Sequence, residues 1–197
     1  MFIKSIDPTE ATGDIADLYA AKIESSGMVM AATQCWSARP DIIIPVENLL
    51  NRLRDGFSLG LLNYKLITFV AAQHVPSSYC SHVYFRLLSE ELGRERTLAV
   101  IRDYASADLS EQQVAMLDYA AQISKDASKI TEDDIQKLRA VGLSDLNIAD
   151  IALAASFRAF MSRYFDAVGA FVEPRFLDKD NDVRTALSVG RKSPMTS

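Results

Sequence analysis

Cys80 is the residue best suited to chemistry in this chain. It lies in the stretch Leu61–Glu91, LLNYKLITFVAAQHVPSSYCSHVYFRLLSEE, which reads as two helices joined at His74-Val75-Pro76. Cys80 falls in the first turn of the second helix, where the dipole and the free backbone N–H groups favour a thiolate, the nucleophilic form of sulfur. The competing role for an isolated cysteine is that of a small buried hydrophobe. Two histidines could add acid–base chemistry, since imidazole titrates near neutrality. His82 stands two positions after Cys80, about 200° away around an ideal helix, and so is badly placed to serve that thiol. His74, at the end of the first helix, can reach the same interior as Cys80. Lys65 sits on the flank of the first helix, where a lysine usually snorkels to water; buried, it would be a usable base or amine nucleophile.

The elements that position these groups follow from periodicity. Leu66, Ile67, Val70, Ala71 and His74 share one face at helical spacing. Pro76 ends that helix, because proline disfavours the α conformation of the residue before it. Ser77 or Ser78 then caps the next one. From Cys80, the residues Val83, Tyr84, Leu87 and Leu88 fall on one side, and His82, Arg86, Ser89 and Glu90 on the other. Cys80, Tyr84 and the first helix therefore face a common interior.

Elsewhere the chain reads as helices. Residues 9–25 carry Ile15, Leu18, Tyr19, Lys22 and Ile23 on one face, with Gly27 as the stop. Pro40-Asp41 opens a helix whose expected buried stripe is Ile43, Ile44, Val46, Leu49, Leu50 and Leu53, ended by Asp55-Gly56. Ser110-Glu111-Gln112-Gln113 is a capping-box pattern, as is Thr131-Glu132-Asp133-Asp134 in looser form. A helix capped by Ser144 runs to Gly169 and is apolar enough to be largely buried. No strand signal appears, so the fold class is all-α. We expect one helical domain over residues 1–172 and a polar C-terminal tail over 173–197 that frays, or orders in part on an oligomer partner.

Composition narrows the functions. At 197 residues and 49% apolar, the chain is long enough for a sizeable core. A net charge of −5 argues against a nucleic-acid surface, which needs clustered Lys and Arg. Apolar runs are too short to cross a bilayer, and the start MFIKSIDPTE has no apolar signal region. Two cysteines, Cys35 and Cys80, make no disulfide framework, which suits a reducing, cytoplasmic setting. The spacings H-E-x-x-H and C-x-x-C are absent, so neither a metal nor a cofactor is expected. Gly56-Phe57-Ser58-Leu59-Gly60 matches the G-x-S-x-G elbow, but a helix precedes it where that motif needs a strand; we read it as a loop between helices.

The chain resembles the alkylhydroperoxidase AhpD-like and carboxymuconolactone decarboxylase-like superfamily, particularly its peroxidase-related branch. The resemblance rests on Ser77-Ser78-Tyr79-Cys80-Ser81-His82-Val83-Tyr84, where the family carries C-x-x-C-x-x-x-H. It rests also on Ile130–Arg139 with Val141-Gly142-Leu143-Ser144-Asp145, and on Ile15-Ala16-Asp17-Leu18-Tyr19. It spans residues 10–170 and implies an AhpD-like helical fold that forms homo-oligomers. In redox-active members it implies two cysteines cycling through a disulfide, with a glutamate and a histidine relaying the proton. Position by position only Cys80 remains here: Lys65 stands for the glutamate, Ser77 for the first cysteine, Tyr84 for the histidine, and Val75-Pro76 for the Asn-Gly that often precedes the motif. Serine forms no disulfide, so the two-cysteine cycle is closed to this motif, and tyrosine, titrating near pH 10, donates a proton reluctantly at neutral pH.

Three readings follow. In the first, a small-molecule enzyme uses Cys80, Lys65, Tyr84, Ser77 and His74 for decarboxylation, isomerisation or elimination. In the second, a one-cysteine thiol oxidoreductase oxidises Cys80 and resolves it with an outside thiol or with Cys35. In the third, a non-catalytic oligomer keeps the scaffold and binds a ligand or partner.

Overall fold

Capping chemistry sets most of the helix boundaries. The structure is a computed structural model that describes residues 1–191, and among these the regular elements are all helices, with no strand. In chain order the helices are α1 (Gly13–Ser26), α2 (Ala31–Gln34), α3 (Pro40–Asp55), α4 (Leu61–His74), α5 (Ser78–Leu92), α6 (Arg94–Asp103), α7 (Glu111–Asp126), α8 (Glu132–Ala140), α9 (Asp145–Val168) and α10 (Asn181–Leu187). Ser110, Thr131 and Ser144 each make a reciprocal capping box at the starts of α7, α8 and α9, satisfying N–H groups that a helix start leaves unpaired. Gly27 closes α1 at φ 78°, a left-handed conformation that costs glycine little.

Two apolar cores divide the molecule. One gathers α4, α7, α8 and the first half of α9, with Leu66, Ile67, Leu117 and Ile151 fully buried. The other gathers α1, α2, α3, the start of α5 and the second half of α9, around Tyr19, Cys35, Ile43, Cys80 and Phe165. Helix α4 packs on α5, α7 and α9 and joins the two. It is buried nearly all round, which explains why its apolar face is less sharply defined than those of its neighbours. No single helix is long and apolar enough to cross a membrane among the described residues.

Three expectations are corrected here. In α3 the buried positions are Ile43 and Glu47, not a purely apolar stripe, and Leu49 is 46% exposed. His82, expected on the outer side of α5, is fully buried, because α10 packs across that side. The covering segment is the start of the expected polar tail. Glu173, Phe176, Val183 and Leu187 are all buried, and Glu173 accepts the Ala31 N–H at 2.6 Å, at the start of α2. The polar composition of 173–191 hid a spaced set of apolar anchors; residues 192–197 of the expected tail lie outside the described residues.

Candidate active site

The site is built from α5 and α9. Ser77 caps α5, its Oγ accepting the Cys80 N–H at 3.5 Å, while its carbonyl accepts from Ser81 Oγ at 2.7 Å. This fixes the first turn and aims Cys80 across at α9. There Arg158 and Ser162, one turn apart on the same face, both donate to the sulfur: Arg158 Nη1 at 3.4 Å and Ser162 Oγ at 3.3 Å. Arg158 Nη2 donates to Tyr84 Oη at 2.7 Å, and its Cζ stands 4.7 Å from the Tyr84 ring centroid. One guanidinium thus holds sulfur and phenol together.

Arg158 is only 3% exposed. Burial pulls its pKa down, and the negative charges that Tyr84, Cys80 and Tyr64 can carry push it up further than burial lowers it. It remains a cation, as arginine does throughout proteins. Burial raises the Tyr64 hydroxyl above the usual tyrosine range, so that group stays neutral.

These side chains open on a cavity of about 250 Å³ between α1, α2, α3, α5 and α9. Met30, Val83, Leu87, Met161 and Phe165 give it apolar walls, while Lys22, Glu47, Arg54, Cys80, Tyr84 and Arg158 give it chemistry. Glu47, 3% exposed, takes Lys22 Nζ at 2.6 Å. Arg54 pairs with Asp55. A larger hollow of about 380 Å³ lies between α7 and α8, but it brings together no cysteine or histidine; of its charged residues Lys137 pairs with Asp134, Lys129 with Asp126 outside the lining, and Asp118 accepts from the Tyr104 hydroxyl.

Of the five residues singled out from sequence, only Cys80 and Tyr84 line the cavity. Lys65 turns away and pairs with Glu91 on α5, which removes it as a base for Cys80. Ser77 is a buried cap rather than a wall of the cavity. His74 lies at the end of α4, where burial first and Lys125 second lower its pKa. Arg158, Glu47 and Ser162 were missed. Arg158, set between Phe157 and Phe160 in the largely apolar run IADIALAASFRAFMSRYF, was the available signal, since a charge in a buried helix needs a reason. Glu47, four positions after Ile43, carried the same signal more faintly.

Cys35 and Cys80 are both free and buried. Cys35 Sγ donates to the Ala32 carbonyl at 3.2 Å, and burial pushes its thiol up to about 12, so it is inert as a nucleophile at neutral pH. The Ser58 loop is likewise structural: its N–H donates to Asp150 and its hydroxyl accepts from Asn147. Among the described residues no group of three or more His, Cys, Asp or Glu is placed to hold a metal.

The helical architecture that carries this site is one that solved structures share. The chain has the AhpD-like helical fold. It superposes on an alkylhydroperoxidase AhpD core, a peroxidase-related protein from Ralstonia eutropha JMP134, with a TM-score of 0.81 at 21% identity, over 89% of this chain and 93% of that one. A peroxidase-related protein from Silicibacter sp. TM1040 matches with a TM-score of 0.77 at 23% identity, over 82% and 85%. The debrominase Bmp8 matches with a TM-score of 0.76 at 14% identity, over 93% and 96%, and a cysteine-to-alanine variant of it is known in complex with 2,3,4-tribromopyrrole. No protein-family model and no curated protein matches the chain.

Proposed function

We propose that this protein is a small-molecule enzyme that works in the Cys80–Tyr84–Arg158 cavity, with Cys80 as its reactive group. The observation that carries the reading is the bridge made by Arg158, which holds the Cys80 sulfur at 3.4 Å and the Tyr84 hydroxyl at 2.7 Å on the wall of one cavity. The chemistry that suits it is proton transfer at a carbon acid, as in decarboxylation, isomerisation or elimination. The sulfur takes the proton, the Tyr84 hydroxyl donates to the oxygen on which charge develops, and Arg158 steadies both. Lys65 and His74 have no part in this reading, and Ser77 only sets the helix start.

A second reading, in which the sulfur attacks the substrate as a nucleophile and displaces a leaving group such as halide, or attacks a hydroperoxide to give a sulfenic acid and the corresponding alcohol, is favoured in its first form by the fold shared with a debrominase whose cysteine-to-alanine variant holds a halogenated pyrrole. Both readings need an accessible, reactive Cys80. Treatment with iodoacetamide followed by peptide mass spectrometry tests that. Cys80 is expected to be modified well before Cys35, and Lys65→Met is expected to leave its rate unchanged. A Cys80 as inert as Cys35 would end both enzymatic readings in favour of the non-catalytic one.

Homo-oligomer formation belongs to the same proposal. Leu146, Leu153 and Phe160 stand at seven-residue intervals on the exposed face of α9, each at least half exposed, and an apolar row of that kind favours association. Light scattering is expected to give a mass above 21.8 kDa, falling to the monomer in Leu153→Glu; a monomeric parent protein would refute this part.

A further inference from the structure

We propose that the substrate of this site is a small organic anion, a carboxylate or equivalent oxyanion on a one-ring apolar body, whose charge is taken by Arg158; this rests on the reading of the cavity as an enzyme site. Arg158 has no carboxylate within ion-pair distance among the described residues. Its Nε, shielded from solvent, has no hydrogen-bond partner there either. Its two other contacts go to the Cys80 sulfur and the Tyr84 phenol, not to a carboxylate. A buried cation so placed, with donor capacity left over at Nε, is stabilised by an anionic ligand that shares its site.

The cavity as a whole points the same way. Of the charged groups in its lining, Lys22 pairs with Glu47 at 2.6 Å and Arg54 with Asp55 at 2.7 Å, which leaves Arg158 as the cation without a carboxylate among the described residues. In a chain of net charge −5, one uncompensated positive charge inside low-dielectric walls is a condition that draws in a negative ligand. The apolar wall of Met30, Val83, Leu87, Met161 and Phe165 then demands that the rest of the ligand be apolar. At about 250 Å³ the space holds one ring with few substituents. An arginine also gives an oxyanion a planar pair of donors, which lysine does not.

Calorimetric titration of the full chain carrying Cys80→Ala with benzoate and with benzamide, its neutral isostere, tests this without any sulfur chemistry. Benzoate is expected to bind at least tenfold more tightly than benzamide. Adding Arg158→Met is expected to erase the contrast, and adding Arg158→Lys to keep the preference for the anion at lower affinity. Equal binding of the two probes, no benzoate binding at 10 mM, or a contrast that survives in Arg158→Met would each overturn the proposal. Failure of the enzymatic reading shows separately, as an unreactive Cys80 with the benzoate–benzamide contrast intact.

Discussion

Arg158 and Cys80 lie 78 positions apart in the chain and meet at 3.4 Å, and the energetics of that meeting are those of a functional site. A buried charge is seldom kept for stability, since apolar replacement of buried charged groups is often neutral or stabilising. Arg158→Met is therefore expected to unfold in urea at or above the midpoint of the parent protein, while Cys80 alkylates at least tenfold more slowly. A large loss of stability would mean that Arg158 is structural. Tyr84→Phe removes only the hydroxyl that Arg158 grips, and turnover is expected to fall by roughly 10²-fold, the usual scale of general acid catalysis.

His82 supplies a different test at the same scale. Burial pushes its pKa down to about 4, with Arg184 adding to the effect and Asp178 opposing it. The unfolded chain titrates near 6.5, so between about pH 6.5 and 4 the unfolded state holds the extra proton and stability rises with pH. Acidification from pH 7.5 to 5 is expected to cost about 2 kcal/mol from this group alone. Urea unfolding at the two pH values checks it: in His82→Leu that part of the loss should vanish, and an unchanged pH dependence would contradict the assignment.

At the scale of elements, the caps were readable because they are local. Ser110, Thr131, Ser144 and Gly27 act on backbone groups within three or four residues, so the sequence carries both partners of each contact. Cys80 and Tyr84 were readable for the same reason, one helical turn apart on α5. The partners of Cys80 were not, because Arg158 and Ser162 reach it from α9, and Glu47 joins the same cavity from α3; helical periodicity within one segment says nothing of which helix lies opposite. Lys65 was misplaced by the converse error. Its position in α4 suited a role beside Cys80, but it is drawn instead to Glu91 on the outward side of α5. Ser77 divides the two kinds of inference: it matches the place of a redox cysteine in the resemblance and works here as a cap. Ser77→Ala is expected to lower stability by about 1 kcal/mol and to leave Cys80 reactive toward iodoacetamide. A loss of reactivity with unchanged stability would return Ser77 to the chemistry.

At the scale of the whole molecule, the segment after residue 172 completes the fold. Phe176, Val183 and Leu187 fill its core contacts, Arg94 grips Asp178 at 2.9 Å, and Gly190 donates to Ser78 Oγ at 3.0 Å. That last contact brings the chain against the turn before α5, so closely that a side chain on Gly190 would meet the Pro76 carbonyl at 1.9 Å. Composition alone pointed to a polar tail here, because three buried anchors among many charges scarcely alter an average. Leu187→Ala is expected to cost about 3 kcal/mol, within the range for a fully buried leucine, read as a clear fall in melting temperature; a shift within error would mean that the segment is dispensable.

The claim on which the rest depends is that Cys80 and Arg158 form one reactive unit open to small molecules. Its most direct measurement is the ratio of two alkylation rates at Cys80, with anionic iodoacetate and with neutral iodoacetamide, read by peptide mass spectrometry in the parent protein and in Arg158→Met. The account predicts that Cys80 prefers iodoacetate, and that the preference reverses when Arg158 is replaced. A Cys80 that neither reagent labels, or that prefers iodoacetamide equally with and without Arg158, would contradict it.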